Sequence, residues 1–391
     1  MNCWLPIKTE DKKVMLVFND FVVKYDVCNF KCDYCLNQMK PDQTDIWKST
    51  EKVLFLDEKQ VEELIYSDNS SLGVRMNKIV SSFQQNIDSA ILRISGGEIL
   101  GIKNIEKFIE KFSSEFEVIQ IVTNGYFLTK DMVNKLGALG NVQLHYSLDG
   151  HNLKLNGYRV KSLEIQNRLM NNLEHAVAAG IAIEIGSVLT TANTKNFVEF
   201  LEYLLIYEYK LRVHPSPVRG EQLKHFYPDK ESIKSFSQIL NNYDRFTNIL
   251  PPIAYMQQLI KFMADNERVL QCHLPKAAIQ TVDKGSLTPC PNGWTLQMGN
   301  LLYEDSTDIS MRIGREKIYN LLLQERPRLK YCKGCYTAYD IVNLYISGMI
   351  SDEELKMLPL YSGPKVSLWM KLLREQYKST SGEINSEIKV V

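Results

Sequence analysis

The sequence predicts an α/β protein: a partial (β/α)6 TIM-like barrel followed by a smaller C-terminal domain. Three observations carry that expectation. Strand-like and helix-like runs alternate six times between about residues 21 and 218, the alternation stops after Pro217, and four of the eight cysteines lie beyond that point. Such alternation implies parallel strands with right-handed crossovers, because a parallel neighbour needs a connection long enough to return across the sheet. Six units fall short of the closed eight-stranded barrel, so the sheet is expected to curve without closing.

The elements follow in order. Phe21–Val27 reads as the first strand, and Ala90–Ser95 as the second. Ile105, Phe108, Ile109 and Phe112 then recur at helical spacing. Val118–Thr123 is the third strand, ending at Asn124-Gly125, with Met132, Val133 and Leu136 marking the next helix. Val142–Leu148 is the fourth, ending in Asp149-Gly150, and Ile165, Leu169, Leu173 and Val177 form a long helix that Gly180 stops as a C-cap. Ala182–Leu189 is the fifth strand, Phe197, Leu201 and Leu204 the fifth helix, and Leu211–His214 the sixth strand. The aromatic stripe Phe197, Phe200, Tyr203 and Tyr207 reads as core packing. The polar segment Gln38–Glu51 reads as a lid or as an inert surface loop. Residues 1–14 form an N-terminal arm, 15–220 the barrel, 221–267 a helical connector, 268–340 a turn-rich cysteine domain, and 341–391 a helical segment with a polar tail, Val366–Tyr377 being its helix.

Composition narrows the function classes. Hydrophobic residues make up 45% and charged ones 24%, ordinary for a soluble globular chain. Lys+Arg and Asp+Glu are both 46, which argues against a nucleic-acid binder working through a basic surface. No stretch approaches the ~20 apolar residues of a membrane span, and Met1–Lys13 lacks the apolar core of a secretion signal. A cytoplasmic protein with neither nucleic-acid nor membrane partner is expected. Clustered cysteines in such a chain point to metal rather than to a disulfide framework.

The unusual residues gather at strand ends. Cys28, Cys32 and Cys35, then Gly96-Gly97-Glu98, Asn124-Gly125, Ser147 with Asp149, Thr190 and Pro215 each follow a successive strand. That edge of a parallel sheet is where ligands collect. The cysteines form a C-x3-C-x2-C loop. Three thiolates suit a cubic iron–sulfur cluster with one iron open; a zinc site completed by a distant His or Cys is the structural alternative.

Taken in this order, the loop and the strand-end motifs resemble the signature of the radical S-adenosylmethionine (radical SAM) superfamily. The resemblance implies a 4Fe–4S cluster on Cys28, Cys32 and Cys35, whose open iron chelates the amino and carboxylate groups of SAM. It implies that Tyr34 lies near the adenine, that Gly96, Gly97 and Glu98 form the methionine-amino-binding turn, and that Asn124 belongs to the cofactor site. Ile99 stands where the family has a proline. Ser147 becomes a ribose or carboxylate contact and Leu189 an adenine contact; Arg159 either pairs with the SAM carboxylate or is an exposed loop residue. The implied chemistry is reductive cleavage of SAM to a 5′-deoxyadenosyl radical that abstracts a substrate hydrogen, with a flavodoxin- or ferredoxin-like reductant.

Cys272, Cys290, Cys332 and Cys335 are spaced C-x17-C-x41-C-x2-C. The set resembles the twitch domain, the shortened relative of the SPASM domain, which holds an auxiliary 4Fe–4S cluster on a β-hairpin and a following helix. A zinc ribbon is the alternative this spacing allows. Cys3 is then the only spare thiol, so return of a hydrogen atom to the substrate is disfavoured, and oxidation of the substrate radical through the auxiliary cluster fits better.

Strand parity adds one inference. If Ser147 faces the interior, so do His145 and Gln143, with Arg93, Gln120, Glu184 and Arg212 or His214 on neighbouring strands. A polar lumen suggests a polar substrate, with His145, Glu184 and His214 as candidate proton acceptors. Two substrate classes follow. One is a ribosomally made peptide that is cross-linked or dehydrogenated, although a barrel starting near residue 17 leaves no N-terminal leader-binding domain. The other is a small natural product, such as an amino-sugar alcohol. A non-enzymatic iron–sulfur carrier would have no use for the glycine-rich turn.

Overall fold

The computed structural model describes residues 4–23, 28–35, 69–102, 104–282, 284–292, 297–327 and 329–381. The expectations about Cys3 and about Gln38–Glu51 lie outside the described residues.

Six parallel strands form the heart of the molecule: β1 (Val14–Val23), β2 (Ile87–Gly96), β3 (Val118–Thr123), β4 (Val142–Ser147), β5 (Ala182–Leu189) and β6 (Leu211–Pro217). They pair strictly in sequence order, each parallel to the next. The sheet stays open, as expected. The first strand begins earlier than its sequence reading. All ten residues of Val14–Val23 are buried, so the strand is covered on both faces and shows no polar alternation to mark its start. The sixth runs on to Pro217, which pairs with Leu189. Prolines are tolerated there because β6 is an edge strand.

Helices α1 (Asn69–Asn86), α2 (Ile105–Phe112), α3 (Lys130–Gly137), α4 (Leu163–Ala178) and α5 (Phe197–Leu204) return the chain between strands. Their ends are set locally. Thr129 caps α3 by accepting from the amide of Met132, and Ser162 caps α4 by accepting from Ile165. Gly180, at φ +75°, turns the chain out of α4, which a residue with a Cβ does at a cost. The connector holds α6 (Lys230–Ser237) and α7 (Ile253–Asp265).

The cysteine segment is not a separate layer. Strand β7 (Ala278–Val282) pairs parallel to the free side of β1, and β8 (Ser286–Thr288) and β9 (Gly299–Asn300) continue antiparallel, giving one nine-stranded sheet in the order β6-β5-β4-β3-β2-β1-β7-β8-β9. Thr281 Oγ1 donates to Asn19 Oδ1 at 2.8 Å across that junction. The C-terminal part contributes α8 (Asp340–Ile346) and α9 (Pro364–Ser381). The start of α9 is held by Glu117, whose carboxylate accepts from the amides of Lys365 and Val366 at 2.9 and 2.7 Å. Among the described residues no helix is long and apolar enough to cross a membrane.

Candidate active site

The cysteine loop follows β1 at the C-terminal edge of the sheet. Phe30 N–H donates to Cys28 Sγ at 3.4 Å, and the Asn124 side-chain amide approaches the same sulfur at 3.8 Å while holding Asn29 at 2.9 Å. Arg159 Nη1 stands 4.0 Å from Cys32 Sγ. Donors and a cation aimed at sulfur are what thiolate ligands require. Burial pushes the Cys32 thiol up to about 11, with Arg159 opposing, so its proton must leave when a metal binds.

Next to the loop, β2 ends in the glycine turn. A Cβ on Gly96 would stand 1.8 Å from the Val23 carbonyl oxygen, so only glycine lets these two strand ends lie side by side. Glu98 is 2% exposed, and its carboxylate is already engaged. It accepts from Leu100 N at 3.2 Å, Thr123 Oγ1 at 2.7 Å and Asn124 N at 2.6 Å. Burial still raises its carboxyl to about 7. Glu98 therefore braces β2 against β3.

Arg159 is neither loose nor exposed. It pairs with Asp149 at 3.3 Å and lies 5.6 Å from the centre of the Tyr34 ring. Asp149 also accepts from the Tyr34 hydroxyl and from Val188 N at 2.9 Å, and Asn193 donates to its carbonyl at 3.0 Å. This Tyr34–Asp149–Arg159 brace, which the sequence reading missed apart from its strand-end aspartate, locks the cysteine loop to β4 and β5. Ser147 is half-buried at the same edge. Leu189 is 0% exposed and part of the core, whereas Val188, one residue earlier and on the opposite face, packs beside Tyr34.

Below this edge the lumen is polar, as parity implied. Glu184 Oε1 receives both His145 Nδ1 at 3.2 Å and His214 Nδ1 at 3.1 Å. Burial pushes the Glu184 carboxyl up, but its interaction with His214 and the hydrogen bonds from both rings outweigh burial and hold the group well below its ordinary range. Burial lowers His145. Gly186 makes the room: a Cβ there would lie 2.1 Å from His145 Nε2. In the next layer Arg93 binds Asp20 at 3.1 Å and Gln120 at 3.0 Å. Arg212 instead turns to the carbonyl of Thr247 at 2.8 Å, so of the pair Arg212 and His214 it is His214 that joins the cluster.

Cys272, Cys290, Cys332 and Cys335 line one pocket, shared with Arg268, Tyr331 and Asp340. Arg268 donates to the Cys335 carbonyl at 2.9 Å and pairs with Asp340, and Arg219, just past β6, holds Asn292 at 2.6 Å. Burial raises Cys272 to about 11 and Cys290 well above its ordinary value. Among the described residues no three carboxylate, imidazole or thiol groups converge on a single ion.

The comparisons follow from this geometry. Residues 22–204 match the family model described as the radical SAM superfamily. Curated relatives include the GTP 3′,8-cyclases of Aliarcobacter butzleri, 27% identical over 179 residues, and Helicobacter pylori, 29% identical over 184 residues; each alignment covers 45% of this chain and 48% of the relative. The chain thus spans about half the length of the curated relatives it matches. Among solved structures, Streptococcus suis SuiB bound to S-adenosylmethionine shares the fold at TM-score 0.56 and 14% identity, over 83% of this chain and 72% of that one. AnSMEcpe with bound AdoMet and Cp18Cys peptide does so at TM-score 0.52 and 14% identity, over 93% and 98%. Open parallel sheet, strand-end cysteine loop and family model together define residues 22–204 as a radical SAM domain.

Proposed function

We propose that this chain is a radical SAM oxidoreductase that dehydrogenates or cross-links a peptide and passes the electron out through a second iron–sulfur cluster. The observation that carries the reading is two thiol sets on one continuous sheet, three beyond β1 and four around the pocket reached through β7 and β8. Cys28, Cys32 and Cys35 would hold the cluster that binds SAM, and Cys272, Cys290, Cys332 and Cys335 the other. Four thiols around one pocket supply the full ligand set of a closed iron–sulfur cube. When bound, the cofactors supply a reduced cluster and a 5′-deoxyadenosyl radical.

The chain's own residues do the rest. The Asn124 and Arg159 side chains steady the thiolates, and Gly96 lets backbone approach the ligand. Val188 and Tyr34 would offer an apolar wall to adenine, and Ser147 a hydroxyl to the ribose or carboxylate. The Glu184 cluster would receive the proton released as the substrate is oxidised. An external flavodoxin- or ferredoxin-like protein would deliver the electron.

Support for a peptide comes from fold neighbours whose structures carry one, SuiB with its precursor SuiA and anSMEcpe with Cp18Cys. GTP, named in the cyclase relatives, suits this lumen poorly: Arg93 is already paired with Asp20, and Glu184 adds a further carboxylate that would repel phosphates. The test incubates reconstituted protein, SAM and dithionite with peptides encoded beside its gene. A loss of about two hydrogens per peptide, seen by mass spectrometry, is expected. Unchanged peptides alongside an oxidised amino-sugar alcohol would move the assignment to the small-molecule reading.

A further inference from the structure

The Glu184 cluster has an asymmetry that points to its partner. Both imidazoles turn Nδ1 toward the same carboxylate oxygen, the arrangement in which each donates an Nδ1–H to Glu184 and a neutral ring keeps its lone pair on Nε2. His145 Nε2 lies against the backbone of Gly186, in the space a Cβ would otherwise fill. Among the described residues His214 Nε2 has no hydrogen-bond partner, and the residue is only 4% exposed. The edge of its ring faces Tyr255, whose hydroxyl is occupied by the Pro215 carbonyl at 2.9 Å.

An orphaned buried acceptor is costly unless something donates to it. The cluster also carries one uncompensated negative charge, because the nearby Arg93 is paired with Asp20.

We propose that His214 Nε2 is the acceptor for an uncharged O–H or N–H group borne by the substrate next to its reacting carbon, with Glu184 as the positioning residue that fixes the tautomer. The site then selects a neutral donor, a peptide N–H or a side-chain hydroxyl, over a carboxylate or phosphate, either of which would meet lone pair with lone pair. The inference deepens the oxidative reading of the site and rests on it. The proton leaves the substrate X–H for Nε2, while the hydrogen atom and the electron leave by the routes given above.

Two measurements test it. The first needs no substrate: nitrogen-15 NMR of histidine-labelled, anaerobically reconstituted protein, with His214→Asn to assign the signal. At neutral pH His214 is expected as the Nδ1–H tautomer with a bare Nε2; a proton found on Nε2 overturns the proposal. The second uses the peptide or alcohol that the wild type converts and reads product formed per 5′-deoxyadenosine released. His214→Asn keeps a donor toward Glu184 but lacks the Nε2 lone pair, so the ratio should fall about 100-fold or more, with partial rescue by added imidazole. Glu184→Gln should lower it less and move its pH profile. An unchanged ratio in His214→Asn contradicts the proposal. Failure of the wild type to release any 5′-deoxyadenosine would instead sink the underlying radical reading.

Discussion

At the scale of single residues, the most constrained position is Gly96. The atom a side chain would strike is the Val23 carbonyl oxygen in a fully buried strand, with no flexible group to move aside. Gly96→Ala is expected to cost about 3 kcal/mol in denaturant titration; a loss within error would mean that the strand ends part easily. Glu184 yields a pH prediction. Its folded carboxyl lies below the ordinary range, so its contribution is present above the unfolded value of 4.5 and is lost as pH falls below it. Wild type should therefore exceed Glu184→Gln in thermal stability at neutral pH, with the gap closing below about pH 4.5. A gap independent of pH would count against the ion pair. Much of this scale was legible beforehand. The cysteine loop, the glycine turn and the polar parity of His145, Glu184 and His214 follow from spacing alone. That Leu189 packs into the core while Val188 sits beside Tyr34 was not legible, because one residue along a strand exchanges faces, and which face meets the lumen is set by neighbouring strands. Likewise, the pairing of Arg159 with Asp149 and of Glu98 with Thr123 and Asn124 depends on loops that spacing does not orient.

At the scale of elements, β3 and β5 were found where the pattern put them, since each is bounded by turn residues. The start of β1 was not, because a strand buried on both faces lacks alternation. The attachment of β7 to β1 was invisible too: it pairs segments far apart in sequence, and three-residue strands such as β8 leave little periodicity. The C-terminal helix α9 depends on a cap supplied from the residue before β3. Glu117→Ala should destabilise the protein by about 1–2 kcal/mol, since two amides lose their acceptor and a negative charge leaves a helix N-terminus. A change of less than about 0.3 kcal/mol would show that solvent replaces Glu117 fully.

At the scale of the whole molecule, the hairpin makes one sheet of what the sequence divided into two domains. The second thiol pocket is thereby fixed relative to the first cysteine loop through β1 and β7. Gln280 ties the two regions directly, reaching Asp20 at 3.5 Å and the carbonyl of Pro291, beside Cys290, at 2.9 Å. If each thiol set holds a cube, Cys332→Ala should lower bound iron by about half, from about eight atoms per chain, in iron and sulfide analysis. Iron unchanged by that substitution would remove the second cluster from the account.

The central claim, that the loop after β1 arms this chain to cleave SAM, is tested most directly by 5′-deoxyadenosine release from the anaerobically reconstituted, dithionite-reduced protein, with Cys32→Ala run beside it. The expected result is nucleoside from the wild type and none from the variant. No release from the fully loaded wild type, or equal release from Cys32→Ala, would contradict it.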